Sequence, residues 1–171
     1  MDKFIIKKHH RPQDSSLIQD SSLTQDSSSK HGRVDKNNLP SDLGQRKKIL
    51  FYHPNDQDEI SRYYLPKKKK KLCQPHEHNF LQTKFGGLMR RFNPKWFKKY
   101  GSWLEYSIEK DAAYCLYCYL FRQDVGMQSG SDSFVTKGFN SWNKKEKLDL
   151  HVGGVNSAHN QALKNGENLM K

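Results

Sequence analysis

Four side chains restrict this chain more than anything else in it. Cys115 and Cys118 stand in Tyr114-Cys115-Leu116-Tyr117-Cys118, and after 32 intervening residues His151 and His159 follow with seven residues between them. Two thiolates and two imidazoles are the ligand set of a closed, four-coordinate zinc site, and a C-x₂-C pair brings two sulfurs to one side of a tight turn. The histidine spacing is wider than usual. On a straight helix the two would be separated by about 12 Å, whereas two nitrogens on one zinc must lie within about 4 Å of each other. A continuous helix is therefore excluded if both ligate. The sequence supplies a break in His151-Val152-Gly153-Gly154, where a helix can end in a left-handed glycine. Asn156 or Ser157 then offers an N-cap for a new helix with His159 in its first turn.

Charge adds a second constraint. Of 30 Lys/Arg and 18 Asp/Glu, the first 45 residues hold seven and six, so nearly all of the net +12 falls on the part that carries the aromatics. A unit this basic favours a polyanion, most often nucleic acid. Three cysteines are too few, and odd in number, for a secreted disulfide scaffold. The apolar stretch near Met1 is too short for a signal peptide, and no run reaches the ~18 apolar residues of a membrane span. The expectation is a soluble intracellular protein.

Along the chain, residues 1–45 read as a disordered low-complexity tail. Gln13-Asp14-Ser15-Ser16-Leu17 recurs as Gln19-Asp20-Ser21-Ser22-Leu23 and, less fully, as Gln25-Asp26-Ser27-Ser28. Such a composition buries too little apolar surface to offset chain entropy. Residues 46–71 read as an extended arm with two short apolar patches, each ended by a proline, docking on the domain or on a partner. The arm finishes in the lysine run Lys67, Lys68, Lys69, Lys70 and Lys71, of the nuclear-import type. Cys73, His76 and His78 follow at once, three potential ligands without an evident fourth.

Residues 72–167 read as the folded domain, with 168–171 as a short tail. Asn93 and Pro94 open a helix to Tyr100. Its aromatics Trp96, Phe97 and Tyr100 share one face, and they suit either a small core or base stacking. Trp103–Ile108 and Ala112–Leu116 pair across a Glu109-Lys110-Asp111 turn, with Tyr119-Leu120-Phe121 continuing beyond the knuckle. After a polar loop over 122–133, a helix capped at Asn140 or Ser141 carries His151, and a last helix carries His159. The fold class is α+β: a small zinc finger built from a hairpin with a CxxC knuckle and helices bearing two histidines.

These residues also carry a resemblance. Arg91-Phe92, Trp96-Phe97, Tyr100 and Trp103-Leu104-Glu105-Tyr106-Ser107, then Asp111-Ala112-Ala113-Tyr114-Cys115-Leu116-Tyr117-Cys118-Tyr119-Leu120-Phe121, resemble the TTF-type zinc finger. So do Gly138-Phe139-Asn140-Ser141-Trp142 and the segment from His151 to Ser157-Ala158-His159. That domain occurs in plant proteins related to hAT transposases, often named zinc finger MYM-type-like. The resemblance covers roughly residues 72–165 and implies a zinc-binding, DNA-binding module with Cys115, Cys118, His151 and His159 as ligands. Family members continue into an RNase H-like transposase core and a dimerisation domain, for which this sequence shows no acidic catalytic residues.

The resulting expectation is a nuclear, non-catalytic DNA-binding module holding one structural zinc. Arg90, Arg91, Lys95, Lys98, Lys99, Lys144, Lys145 and Lys147 are the candidate phosphate contacts. The alternative is a zinc-stabilised protein-interaction module that presents Trp96, Phe97 and Trp142 to another chain. Neither a membrane nor a small-molecule substrate is expected. A catalytic zinc needs an open coordination position, and neither a deaminase signature nor a nucleophile–base pair is present in the sequence.

Overall fold

The computed structural model describes residues 34–65, 72–122 and 133–171. The serine-rich repeats, the lysine run Lys67–Lys71 and most of the 122–133 loop lie outside them.

The centre of the fold is an antiparallel hairpin of β3 (Leu104–Ser107) and β4 (Ala112–Cys115), in the register Leu104↔Cys115 to Ser107↔Ala112. Asp111 closes its turn with φ 44°, a left-handed conformation that aspartate tolerates better than most residues, and it accepts a hydrogen bond from the Tyr106 hydroxyl. All eight strand residues are buried. Alternation along a strand sends neighbours to opposite faces, and here each face has its own core.

On one face Leu104, Tyr106, Ala113 and Cys115 join an aromatic core. Phe92 is its centre, fully buried, with the rings of Phe80, Phe97 and Tyr106 4.9–5.0 Å away and Trp96 and Trp142 at 5.1 and 5.5 Å. Burying one such side chain contributes about 1.5–3 kcal/mol. The segment before Phe92 folds into a small exposed hairpin of β1 (Thr83–Phe85) and β2 (Leu88–Arg90). Next comes α2 (Lys95–Tyr100), at whose start Asn93 Oδ1 accepts from Lys95 N at 3.0 Å. Phe97 and Tyr100 point inward while Lys95, Lys98 and Lys99 stay exposed.

On the other face Ala112 and Tyr114 join Leu116, Tyr119 and Leu120 in a second core, closed by Leu43, Ile49, Ile60, Tyr64 and Leu65. This corrects the sequence reading over residues 34–65. Residues 34–45 are ordered, with two 3₁₀ turns capped by Asp35 and Asp42. The arm is not extended either: α1 (Pro54–Tyr64) is an eleven-residue helix with proline at its start. It packs because its few apolar positions, Ile60, Tyr64 and the adjoining Leu65, meet a hairpin face that would otherwise be bare. Arg46 and Glu105 lock the two together, 3.0 Å apart with both side chains 3% exposed. They meet as charges without hydrogen-bond alignment, and Arg46 also lies 4.0 Å over the Tyr64 ring.

Beyond the knuckle the structure differs again. Tyr119-Leu120-Phe121, which the sequence reading left without an assigned element, belongs to α3 (Leu116–Phe121). The helix expected from Asn140 or Ser141 begins later, as α4 (Glu146–Val152). The residues before α4 form an isolated bridge instead, Phe139 with Ala113, both N–H···O distances being 2.8 Å. Gly138 makes that approach possible: its φ is +83°, and a Cβ there would sit 2.4 Å from Ala112 Cβ. The last element is α5 (Ala158–Leu169), which packs along α3. Among the described residues no helix is long and apolar enough to cross a membrane.

Candidate metal centre

The two cysteines reach the site by the end of β4. Cys115 is both its last residue and the N-cap of α3, and its sulfur accepts from Cys118 N at 3.5 Å. That contact holds both thiols on the same side of the knuckle. The histidines come from the elbow between α4 and α5. Gly153 ends α4 with φ 60°, and Ser157 caps α5 by accepting from Asn160 N at 3.1 Å. The elbow is further tied by Ser157 Oγ donating to Val152 O at 2.6 Å and Asn160 Nδ2 donating to Gly154 O at 2.8 Å. Helix end, glycine, cap and helix start occur in the order that the spacing of the histidines requires.

Folding brings the four side chains into one cluster, with all ligand atoms within 4.8 Å of each other. Cys115 Sγ is 3.4 Å from His159 Nδ1. Cys118 Sγ is 3.6 Å from His151 Nε2 and 3.7 Å from His159 Nδ1. The two ring nitrogens are 3.2 Å apart. A tetrahedral zinc with ordinary bond lengths needs about 3.6 Å between sulfur and nitrogen and about 3.3 Å between nitrogens. The residues therefore fit the ion, with His151 offering Nε2 and His159 offering Nδ1.

Surroundings and electrostatics agree with a structural site. Cys115, Cys118 and His159 are buried, and His151 is half-buried. The Trp103 ring lies tilted to His151 at 5.2 Å and edge-on to His159 at 5.1 Å, and the Phe134 ring lies 4.4 Å from His151. This aromatic wall limits water access and fixes the ring planes. The Cys115 sulfur holds the Cys118 thiol well below the usual thiol range; His151 and His159 add to this, while burial opposes it. A thiolate is the ligand form. Four protein ligands would close the shell of a bound ion and leave no position for a reacting water, which is the arrangement of a structural rather than a catalytic centre.

Cys73, His76 and His78 form no such cluster. The Cys73 thiol donates to Tyr106 O at 3.4 Å, and burial pushes its pKa up to about 11. The His76 and His78 rings instead pack edge-on against Phe97 and Phe80, both at 5.1 Å.

The basic candidates separate into groups. Arg90, Arg91, Lys95, Lys98, Lys144, Lys145 and Lys147 are exposed. Lys99 is exposed too, but it pairs with Asp149 at 2.7 Å, which offsets its charge. Arg90, Arg91 and Lys145 come together around one cleft between the start of α2 and the start of α4. The aromatics proposed as a protein-binding surface are not one: Phe97 and Trp142 are 3% and 4% exposed, and Trp96 is partly covered by Phe92 and Trp142. Phe97 and Trp142 are core because Phe92, Tyr106 and Phe139 surround them, while Trp96 is only partly covered, a distinction that helical spacing alone could not reveal. Missed by the sequence reading were the Arg46–Glu105 pair, whose partners lie far apart in the chain, and the cleft itself.

Hairpin knuckle, helical elbow and four converging ligands define a small α+β zinc-finger-type module. A family model described as "DUF4371: ZMYM1/FAM200, RNase-like domain" matches residues 132–171. That segment holds both histidine ligands, so the match overlaps one half of the metal centre and leaves the cysteine half outside. No curated protein matches the chain, and no solved structure does.

Proposed function

We propose that the chain is a zinc-stabilised, transposase-derived module that binds DNA, non-catalytic as it stands and acting in the nucleus. Zinc is the metal that the two-thiolate, two-imidazole set and its spacings suit best. It ties the hairpin to α4 and α5. The observation that carries the DNA reading is the convergence of Arg90, Arg91 and Lys145 on one cleft in a protein of net charge +12. Lys95, Lys98, Lys144 and Lys147 are further phosphate contacts, and Lys99 contributes less because of Asp149. The TTF-type resemblance and the family match over 132–171 support the same reading.

Binding to random-sequence duplex DNA across a salt series is the test. Each phosphate neutralised contributes about −0.9 to the slope of log K against log salt, so four or more contacts give a steep fall. Replacing Arg90, Arg91 and Lys145 with glutamate should remove most of the binding, and a flat salt response in the parent chain would reject the proposal. Nuclear import through Lys67–Lys71 is checked by a fluorescent fusion with those lysines changed to alanine, which should lose nuclear accumulation.

A second reading, a protein-binding module, rests on a different surface from the core aromatics. Leu81, Leu88 and Met89 are 55–60% exposed on and beside the β1–β2 hairpin. Polar replacement of Leu88 and Met89 leaves DNA binding unchanged if the first reading holds.

A further inference from the structure

The cleft that gathers the three cations is more than a charged surface. It has a volume of about 340 Å³, at the small end of ligand pockets. Arg90, Arg91, Trp96, Trp142, Lys145 and Glu146 are among its lining residues. The two indole rings are 6.1 Å apart, inclined at 44°. Trp96 keeps part of its surface uncovered, whereas Trp142 is 4% exposed. The Trp142 Nε1 is also one of the few buried polar side-chain atoms without a hydrogen-bond partner among the described residues. A buried N–H with no acceptor is unfavourable, and this one belongs to a residue of the cleft wall.

We infer that this cleft takes a single unpaired nucleotide of a DNA strand, its base against Trp96 and its phosphates on Arg90, Arg91 and Lys145. The inference rests on the DNA-binding reading and deepens it. Phosphate contacts alone would serve a duplex equally well, since both strands present the same backbone charge. An aromatic ring set inside a concave cleft has no use for a duplex, whose bases show only their edges in the grooves. It can stack on a base only where pairing is absent, as at a strand end, a gap or a melted site. Glu146 fits the same occupant: its carboxylate repels phosphate but accepts from the N–H groups of a base edge. Cations and aromatics on the same small concavity are the combination by which single strands are held without strong sequence preference.

The test uses the zinc-loaded full chain and two probes of one mixed sequence, a short single-stranded oligodeoxynucleotide and its blunt duplex. Binding is followed by anisotropy and by tryptophan fluorescence. The expected result is quenching by the single strand but not by the duplex. Trp96→Ala should weaken single-strand binding roughly ten- to hundredfold, the range for loss of one stacked base, with duplex affinity changed less than about twofold. Trp96→Phe should restore most of the loss. Because Trp96 touches Phe92, Asn143→Trp serves as a second variant that fills the cleft from an exposed position, and it should show the same selective loss. Equal weakening on both probes, or single-strand binding that survives both Trp96→Ala and Asn143→Trp, overturns the inference and leaves the DNA-binding reading standing. Salt-insensitive or absent binding to both probes overturns the two together.

Discussion

The two faces of the β3–β4 hairpin are held in different ways. One packs against an aromatic core that ends at the clustered Cys115, Cys118, His151 and His159, where a bound ion would fix the positions of β4, α3, α4 and α5 relative to one another. The other packs against an arm that holds no such cluster among the described residues: it is joined by apolar contacts, by the buried Arg46–Glu105 ion pair, and by hydrogen bonds such as Ile108 N to Asp42 and the Tyr119 hydroxyl to Lys47 O. The difference shows how a short chain can cover both sides of a two-stranded sheet. A hairpin alone is marginally stable, and a core this small would gain what it lacks from a metal on one side. The arm then needs only to seal the exposed back.

If that division is real, removing the metal has the largest effect and is felt unequally. Structural zinc in finger peptides is worth about 10–16 kcal/mol of apparent binding free energy. Chelation, or Cys115→Ser, should abolish cooperative unfolding and raise amide exchange across His151–Asn160 well before α1. Simultaneous loss of protection in α1 and the elbow would show that the two faces are one unit.

The next effect belongs to the arm. Glu105→Ala leaves the buried Arg46 guanidinium without its carboxylate, bonded to the Pro40 and Ser41 carbonyls, and should destabilise the fold by up to about 3–5 kcal/mol in urea titrations with metal content unchanged. Replacing both partners with methionine should come out near neutral. A loss of metal in Glu105→Ala would break the comparison, because it would couple the arm to the centre.

Gly138→Ala should be smaller, about 1–3 kcal/mol by thermal melting, since its new methyl group meets Ala112 and the Tyr114 ring at a positive φ. Gly138 lies against Ala112 and Tyr114, residues of the arm-side core, so its cost measures how tightly the hairpin is packed on that side.

What the sequence made legible was local. Two cysteines two residues apart, a diglycine after His151 and a serine before Ala158 each act within a few residues, and each does in the structure what its chemistry suggests. Asn93-Pro94 and Asp111 likewise mark a helix start and a turn where they stand. Long-range complementarity stayed hidden. Nothing near Arg46 announces Glu105, and α1 carries too few apolar residues to look like a core helix until the bare face of β4 is present. The all-apolar run Leu116-Tyr117-Cys118-Tyr119-Leu120-Phe121 fits strand or helix equally, and packing against α5 decides for helix. Exposure of the tryptophans was undecidable for the same reason, because it depends on which elements close over them.

X-ray absorption at the zinc edge of the purified full chain tests the metal clamp most directly. The account predicts one zinc per chain with two sulfurs at about 2.3 Å and two nitrogens at about 2.0–2.1 Å, replaced by a lower sulfur count in Cys118→Ser. A shell of oxygens, or a site unchanged by that substitution, would contradict it.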